Sequence, residues 1–75
     1  MKELLRIIAR NLVDSPNEVE VIEETKDNIV TLTLKVGADD VGKVIGKQGR
    51  IARAIRTVIK ASAINTKQRV NVEIV

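Results

Sequence analysis

Five consecutive residues near the middle of the chain, Gly46-Lys47-Gln48-Gly49-Arg50, have the types and spacing to hold an anion. Glycine turns through positive φ without penalty and, lacking a Cβ, lets a ligand approach the main chain. Lys47 and Gln48 are long hydrogen-bond donors set between the two glycines. A helix begins directly afterwards, and the N–H groups of a first helical turn have no intrahelical partner. Open N–H groups, the positive end of a helix dipole and side-chain cations at one point suit a phosphate. That phosphate is not a nucleoside triphosphate in a Walker A loop, which requires G-x-x-x-x-G-K-[ST]. Residues 42–49 read Gly-Lys-Val-Ile-Gly-Lys-Gln-Gly, with neither the spacing nor the hydroxyl.

Other chemistry is largely closed to this sequence. It has no histidine and no cysteine, so imidazole catalysis, thiolate nucleophiles and His- or Cys-ligated metals are absent. No cofactor is implied. Six acids (Asp14, Glu18, Glu20, Glu23, Glu24 and Asp27) fall in residues 14–36 against Lys26 and Lys35, a net −4 spread along a hairpin. Residues 39–60 carry Lys43, Lys47, Arg50, Arg53, Arg56 and Lys60 against Asp39 and Asp40, a net +4. The basic block therefore coincides with the G-x-x-G segment, where a polyanion would need it. An enzyme is not expected; a nucleic-acid-binding module is. Phe, Tyr and Trp are absent as well. Modules that stack bases on aromatic side chains, such as RNA-recognition motifs and OB-folds, are thereby disfavoured.

The elements that must position the loop can be read from apolar spacing. Residues 2–13 form a helix with Leu4, Leu5, Ile8 and Leu12 on one stripe, widened by Ile7, and Lys2, Arg6 and Arg10 opposite. Asp14-Ser15-Pro16-Asn17 ends it, because proline lacks an N–H and displaces its predecessor from the α region. Val19 and Val21 alternate with Glu18 and Glu20 as a strand. Lys26-Asp27-Asn28 is a turn, and Val30, Leu32, Leu34 and Val36 return as a second strand of the hairpin. Asp39 is the expected N-cap of a short helix over residues 39–46. A longer helix follows over residues 49–63, with Ile51, Ile55, Val58 and Ile59 inward and Arg53, Arg56 and Lys60 as a cationic stripe. Asn65-Thr66-Lys67-Gln68 is a polar loop, and Val70, Val72 and Ile74 alternate in a last strand. The fold class is α+β: helix-strand-strand-helix-helix-strand, a three-stranded mixed sheet with the second strand central and the helices on one face. All 75 residues make one domain. No stretch resembles a signal peptide or a membrane span, so a soluble, cytoplasmic protein is expected.

A lone G-x-x-G arises by chance in roughly a third of chains this long, so its setting decides. Ile45-Gly46-Lys47-Gln48-Gly49-Arg50-Ile51, with Ile55 four residues on and helical apolar spacing on both sides, resembles the core of a K-homology (KH) domain. The element order resembles the type II arrangement over essentially the whole chain. The chain thus resembles the small bacterial single-KH-domain RNA-binding proteins of the KhpA type. The resemblance implies single-stranded RNA as partner and a groove in which Gly46, Lys47, Gln48 and Gly49 grip phosphate. Ile45 flanks the bases, Lys43 and Arg50 border the groove, and Arg53 reaches phosphate. Val41, Val44 and Ile51 flank the same platform, at least two of the four apolar residues being ordinary core. The loop 65–68 corresponds to the variable loop. The resemblance also implies a post-transcriptional regulator or RNA chaperone linked to cell elongation or division. The alternative is a protein–protein adaptor that binds a larger KH-containing partner, or a homodimer, through Thr57, Lys60, Ala61 and Ile64. Glutamine at the third loop position departs from the cation or glycine common in such loops and lowers their charge.

Overall fold

A computed structural model describes residues 1–64 and 66–75. The elements run α1 (Lys2–Leu12), β1 (Glu20–Lys26), β2 (Ile29–Lys35), α2 (Val41–Ile45), α3 (Arg50–Ser62) and β3 (Arg69–Ile74). Single 3₁₀ turns at Pro16–Glu18, Ala38–Asp40 and Lys47–Gly49 join them. Strand order is β1-β2-β3, with β1–β2 antiparallel and β2–β3 parallel, so β2 is central. Asn65, the first residue of the polar loop read from sequence, lies outside the described residues.

The β1–β2 hairpin closes through Asp27 and Asn28, both left-handed with φ of 52° and 64°. Two consecutive positive φ values make the turn whose twist matches that of paired strands, and Asp and Asn tolerate it best after glycine. On the covered face of the sheet lie Val21, Val30, Leu32, Leu34, Val70 and Val72, all buried. Leu5 and Ala9 of α1, Val44 of α2, and Ile55 and Ile59 of α3 pack onto them. With no aromatic ring available, the layer is filled by branched aliphatics and alanines alone. The distal half of β1 is different. Glu23 and Thr25 pair with the buried Leu32 and Val30 yet are exposed, unlike Val21 on the same edge strand. Charge along such an edge blocks pairing with other chains, a structural use for part of the acidic run.

Three expectations need correction. Ile7 does not widen the core stripe of α1; it is 56 % exposed, and Leu5 and Ala9 are the fully buried positions. Val58 of α3 is likewise outward, 46 % exposed, while Ala52 takes a buried place. In both helices a small alanine, Ala9 or Ala52, is buried while the larger apolar residue faces out. Asp39 is not the N-cap. It is exposed, and Asp40 is the residue that precedes α2, with no side-chain capping bond of its own.

Asp40 has another use. It is buried, and its carboxylate accepts the backbone N–H of Asp14 at 3.3 Å and of Ser15 at 3.1 Å. These donors are freed where Pro16 stops α1, and a buried donor without a partner is costly. One carboxylate thus ties the exit of α1 to the entry of α2, fixing how the G-x-x-G segment leaves the core.

Candidate nucleic-acid interface

The loop between α2 and α3 is a tight turn in which three of four residues have positive φ. Gly46 is at φ 73°, ψ 175°, Gln48 at 58°, 25° and Gly49 at 75°, 15°. The N–H of Gly49 donates to the carbonyl of Gly46 at 3.2 Å, and that of Gly46 to Gly42 at 2.8 Å. The glycines are required for different reasons. A Cβ on Gly46 would lie 2.6 Å from Cγ1 of Ile51, whereas one on Gly49 would meet nothing within 4 Å, leaving backbone conformation as its constraint. Lys47 and Gln48 stand exposed at the tip.

Two of the N–H groups expected to be open are in fact used. Gly49 closes the turn, and the Arg50 N–H donates to the carbonyl of Lys47. Attraction for an anion at this loop therefore rests more on side chains, those of Lys47, Gln48 and Arg50, than on a bare helix terminus. Arg50 and Arg53 are both exposed, the latter one turn further along α3. Ile45 is 36 % exposed beside the glycine turn, the one apolar residue of the four flanking positions with so open a face. Val44 is wholly buried and belongs to the core. Val41 and Ile51 are half-buried, Ile51 packing on the core cluster.

Lys43 sits apart from the others electrostatically. Its ammonium is paired with the Asp14 carboxylate and lies 3.7 Å from Asp40. The hydrogen bond it donates to Asp14, reinforced by the charges of Asp14 and Asp40, raises its pKa above the ordinary lysine value against a smaller desolvation effect. The structure thus brings Ile45, Gly46, Lys47, Gln48, Gly49 and Arg50 together at one corner, with Arg53 alongside. It holds Lys43 toward the end of α1.

Arg56 belongs to the cationic stripe read from sequence and lies outside the expected binding residues. Its Nε donates to the carbonyl of Val72 at 3.1 Å, bridging α3 to β3. Its position seven residues after Gly49, two turns on, is the sequence signal that it shares the loop's side of the helix. A concavity of about 490 Å³ lies farther along this seam and includes Lys60, Ile64, Arg69 and Asn71. It does not reach the glycine loop. Among the described residues no acidic cluster could hold a metal ion, and no helix is long and apolar enough to cross a membrane.

Comparison with known proteins agrees over the full length. The family model described as KhpA/KhpB, KH domain, matches residues 2–74. The chain is 60 % identical over 75 residues to the RNA-binding protein KhpA of Clostridium acetobutylicum, covering all of both chains. It is 50 % identical over 74 residues to the protein of that name from Treponema pallidum, covering 99 % of this chain and 92 % of the relative. Among solved structures, Era of Aquifex aeolicus bound to GDP and aluminium fluoride superposes with a TM-score of 0.65 at 18 % identity. That match covers 97 % of this chain and 28 % of Era, and it bears on the fold alone.

Proposed function

The chain belongs to the KhpA/KhpB family of KH domains, and from that premise we propose that it binds single-stranded RNA through residues 46–50. The matched family is a KH domain, a binding module and not an enzyme family. The observation that carries the reading is the exposed Lys47-Gln48 tip held between two left-handed glycines, with Arg50 and the open face of Ile45 beside it. Lys47, Gln48 and Arg50 grip the sugar-phosphate backbone, Arg53 adds a phosphate contact, and Ile45 borders the bases. Lys43 contributes through the local field, being shared with Asp14 and Asp40. Relatives named RNA-binding protein support the ligand class. About four nucleotides gripped without aromatic stacking implies micromolar affinity, roughly −8 kcal/mol. The family relationship is also the support for a single KH domain acting in post-transcriptional regulation or as an RNA chaperone in the cytoplasm, connected with cell elongation or division. Fluorescence anisotropy with a labelled single-stranded RNA tests the binding directly: the parent binds, and the Lys47→Asp/Gln48→Asp variant does not.

A second reading is favoured by one observation. Ala54, Val58 and Ala61 run at i, i+4 and i+7 along α3 and are all exposed, and Ile64 beyond them is 78 % exposed. Exposed apolar side chains aligned on one face can serve as a protein contact. We infer that this face joins a second copy or a larger KH-containing protein, raising RNA affinity through effective concentration. Sedimentation at hundreds of micromolar tests it, with a monomer as the outcome against self-association.

A further inference from the structure

The cationic stripe of α3 is not uniform. Arg53 and Lys60 have no hydrogen bond to another element among the described residues, whereas Arg56 is anchored at Nε by the Val72 carbonyl at 3.1 Å. Val72 belongs to β3, an edge strand. The N–H of Arg69 donates to Asn28 and that of Val75 to Leu34, so odd-numbered residues of this strand turn their polar groups to β2. By the alternation of a parallel ladder, Val70, Val72 and Ile74 turn theirs to the free edge. Arg56 therefore stands at the crevice between α3 and that edge, about 10 Å along the helix from Gly49. Anchoring spends one of five guanidinium donors and fixes the plane of the rest. The side chain is nonetheless exposed.

We propose that Arg56 is a base-specificity residue, presenting a fixed, donor-only fork to the base bound next to β3. This rests on the RNA-binding reading above. A fork of parallel N–H groups is satisfied only by two adjacent acceptors. Cytosine offers O2 and N3, and guanine offers O6 and N7. Adenine and uracil set a donor beside each acceptor on the edges they present, so one N–H of the fork meets another N–H. Arg50 and Arg53, with no such anchor, follow phosphates and carry no base information.

Anisotropy titrations with labelled RNA octamers of C, U, A and alternating G-U test this. Expected is that the parent binds the C or the G-U octamer at least about fivefold more tightly than A and U, the lower end of what a bidentate contact discriminates. Arg56→Lys keeps the charge but not the fork, so it should still bind while the preference falls below about twofold. Arg53→Ala is the contrast, weakening all octamers by a similar factor. Replacing guanine by 7-deazaguanine removes N7 and separates the two sources: a G-reading site loses its preference, and a C-reading site is unmoved. Equal binding of all four octamers by the parent, or a preference kept intact by Arg56→Lys, overturns the proposal. If the parent binds none of them, the RNA-binding reading itself fails. Melting curves of both variants confirm that the anchor's loss has not unfolded the chain.

Discussion

Gly46 and Ile51 are packed so closely that no side chain fits between them: a Cβ on Gly46 would lie 2.6, 2.8 and 2.9 Å from Cγ1, Cβ and Cδ1 of Ile51. Gly46 also sits at φ 73°, ψ 175°, a region essentially confined to glycine. Gly46→Ala therefore combines backbone strain with a steric overlap against a residue packed on the core. Gly49→Ala incurs strain alone, at φ 75°, ψ 15° in the left-handed helical region. Chemical denaturation should show Gly49→Ala costing about 1–2 kcal/mol and Gly46→Ala roughly 1–3 kcal/mol more from overpacking. The reverse order would mean the Gly46–Ile51 contact does not constrain the turn.

Lys47 and Gln48 are the complementary case, exposed at the tip and, among the described residues, without a side-chain hydrogen bond or ion pair to lose. Replacing both by aspartate should leave the fold intact, at less than about 0.5 kcal/mol each. Gln48 is left-handed at φ 58°, a conformation Asp tolerates better than most residues, so that half of the change is mild. Two carboxylates then stand where phosphate oxygens must come. Circular dichroism should be unchanged and RNA anisotropy flat; a folded double variant that binds like the parent would remove the loop from the interface.

Element types and strand order were legible because alternation in residues 30–36 and 70–74 and helical spacing in residues 51–59 are long enough to be unambiguous. The glycine turn was legible too, since few residue types accept its backbone angles. What stayed hidden were choices made by tertiary neighbours. Nothing local distinguishes Asp39 from Asp40 as the buried acid; that depends on where the chain after Pro16 brings the N–H groups of Asp14 and Ser15. Nothing local says that Val58 faces out and Ala52 in. The spending of Lys43 on Asp14 and of Arg56 on Val72 spans 29 and 16 residues, beyond the reach of periodicity.

Asp40→Ala should be among the most destabilising polar substitutions. It strands two part-buried backbone donors, a loss of about 1–3 kcal/mol for each left without a partner. Asp40→Asn retains a carbonyl acceptor and should recover part of the loss. Urea midpoints in the order parent, Asn, Ala are expected, and an Ala variant as stable as the parent would show the N–H groups find water instead. The neighbouring Lys43–Asp14 pair behaves differently with pH. Because the Lys43 pKa is raised in the fold, its contribution is complete below the ordinary lysine range and fades only as pH rises through the raised value. Lys43→Gln should therefore lower the urea midpoint by the same amount at pH 7 and at pH 9, and a loss confined to one of the two would contradict this.

The exposed α3 face gives a prediction about assembly. Val58→Glu places a charge on an outward position, 46 % exposed in the isolated chain, so the fold should tolerate it within about 0.5 kcal/mol. Any dimer formed through Ala54, Val58 and Ala61 would have to bury that charge, and sedimentation at high concentration should shift to monomer. If the parent associates and Val58→Glu associates equally, the contact lies elsewhere.

Salt dependence separates the cations that neutralise phosphate from the one already neutralised. Each phosphate contact on a single strand contributes about −0.7 to the slope of log K against log salt, so three or four contacts give roughly −2 to −3. Lys47, Arg50 and Arg53 have no salt-bridge partner among the described residues, so a phosphate bound to any of them releases its own condensed counterion. Lys43 is held by Asp14 with Asp40 beside it, and a phosphate approaching it must share the ammonium with two carboxylates. Lys47→Ala and Arg50→Ala should each make the slope shallower by about 0.7, while Lys43→Ala should change it by less than half as much. Titrations from 50 to 300 mM salt measure all four proteins on one RNA. A Lys43→Ala slope as shallow as that of Lys47→Ala would mean that RNA draws Lys43 away from Asp14, and a slope near zero for the parent would mean that the loop does not grip phosphate at all.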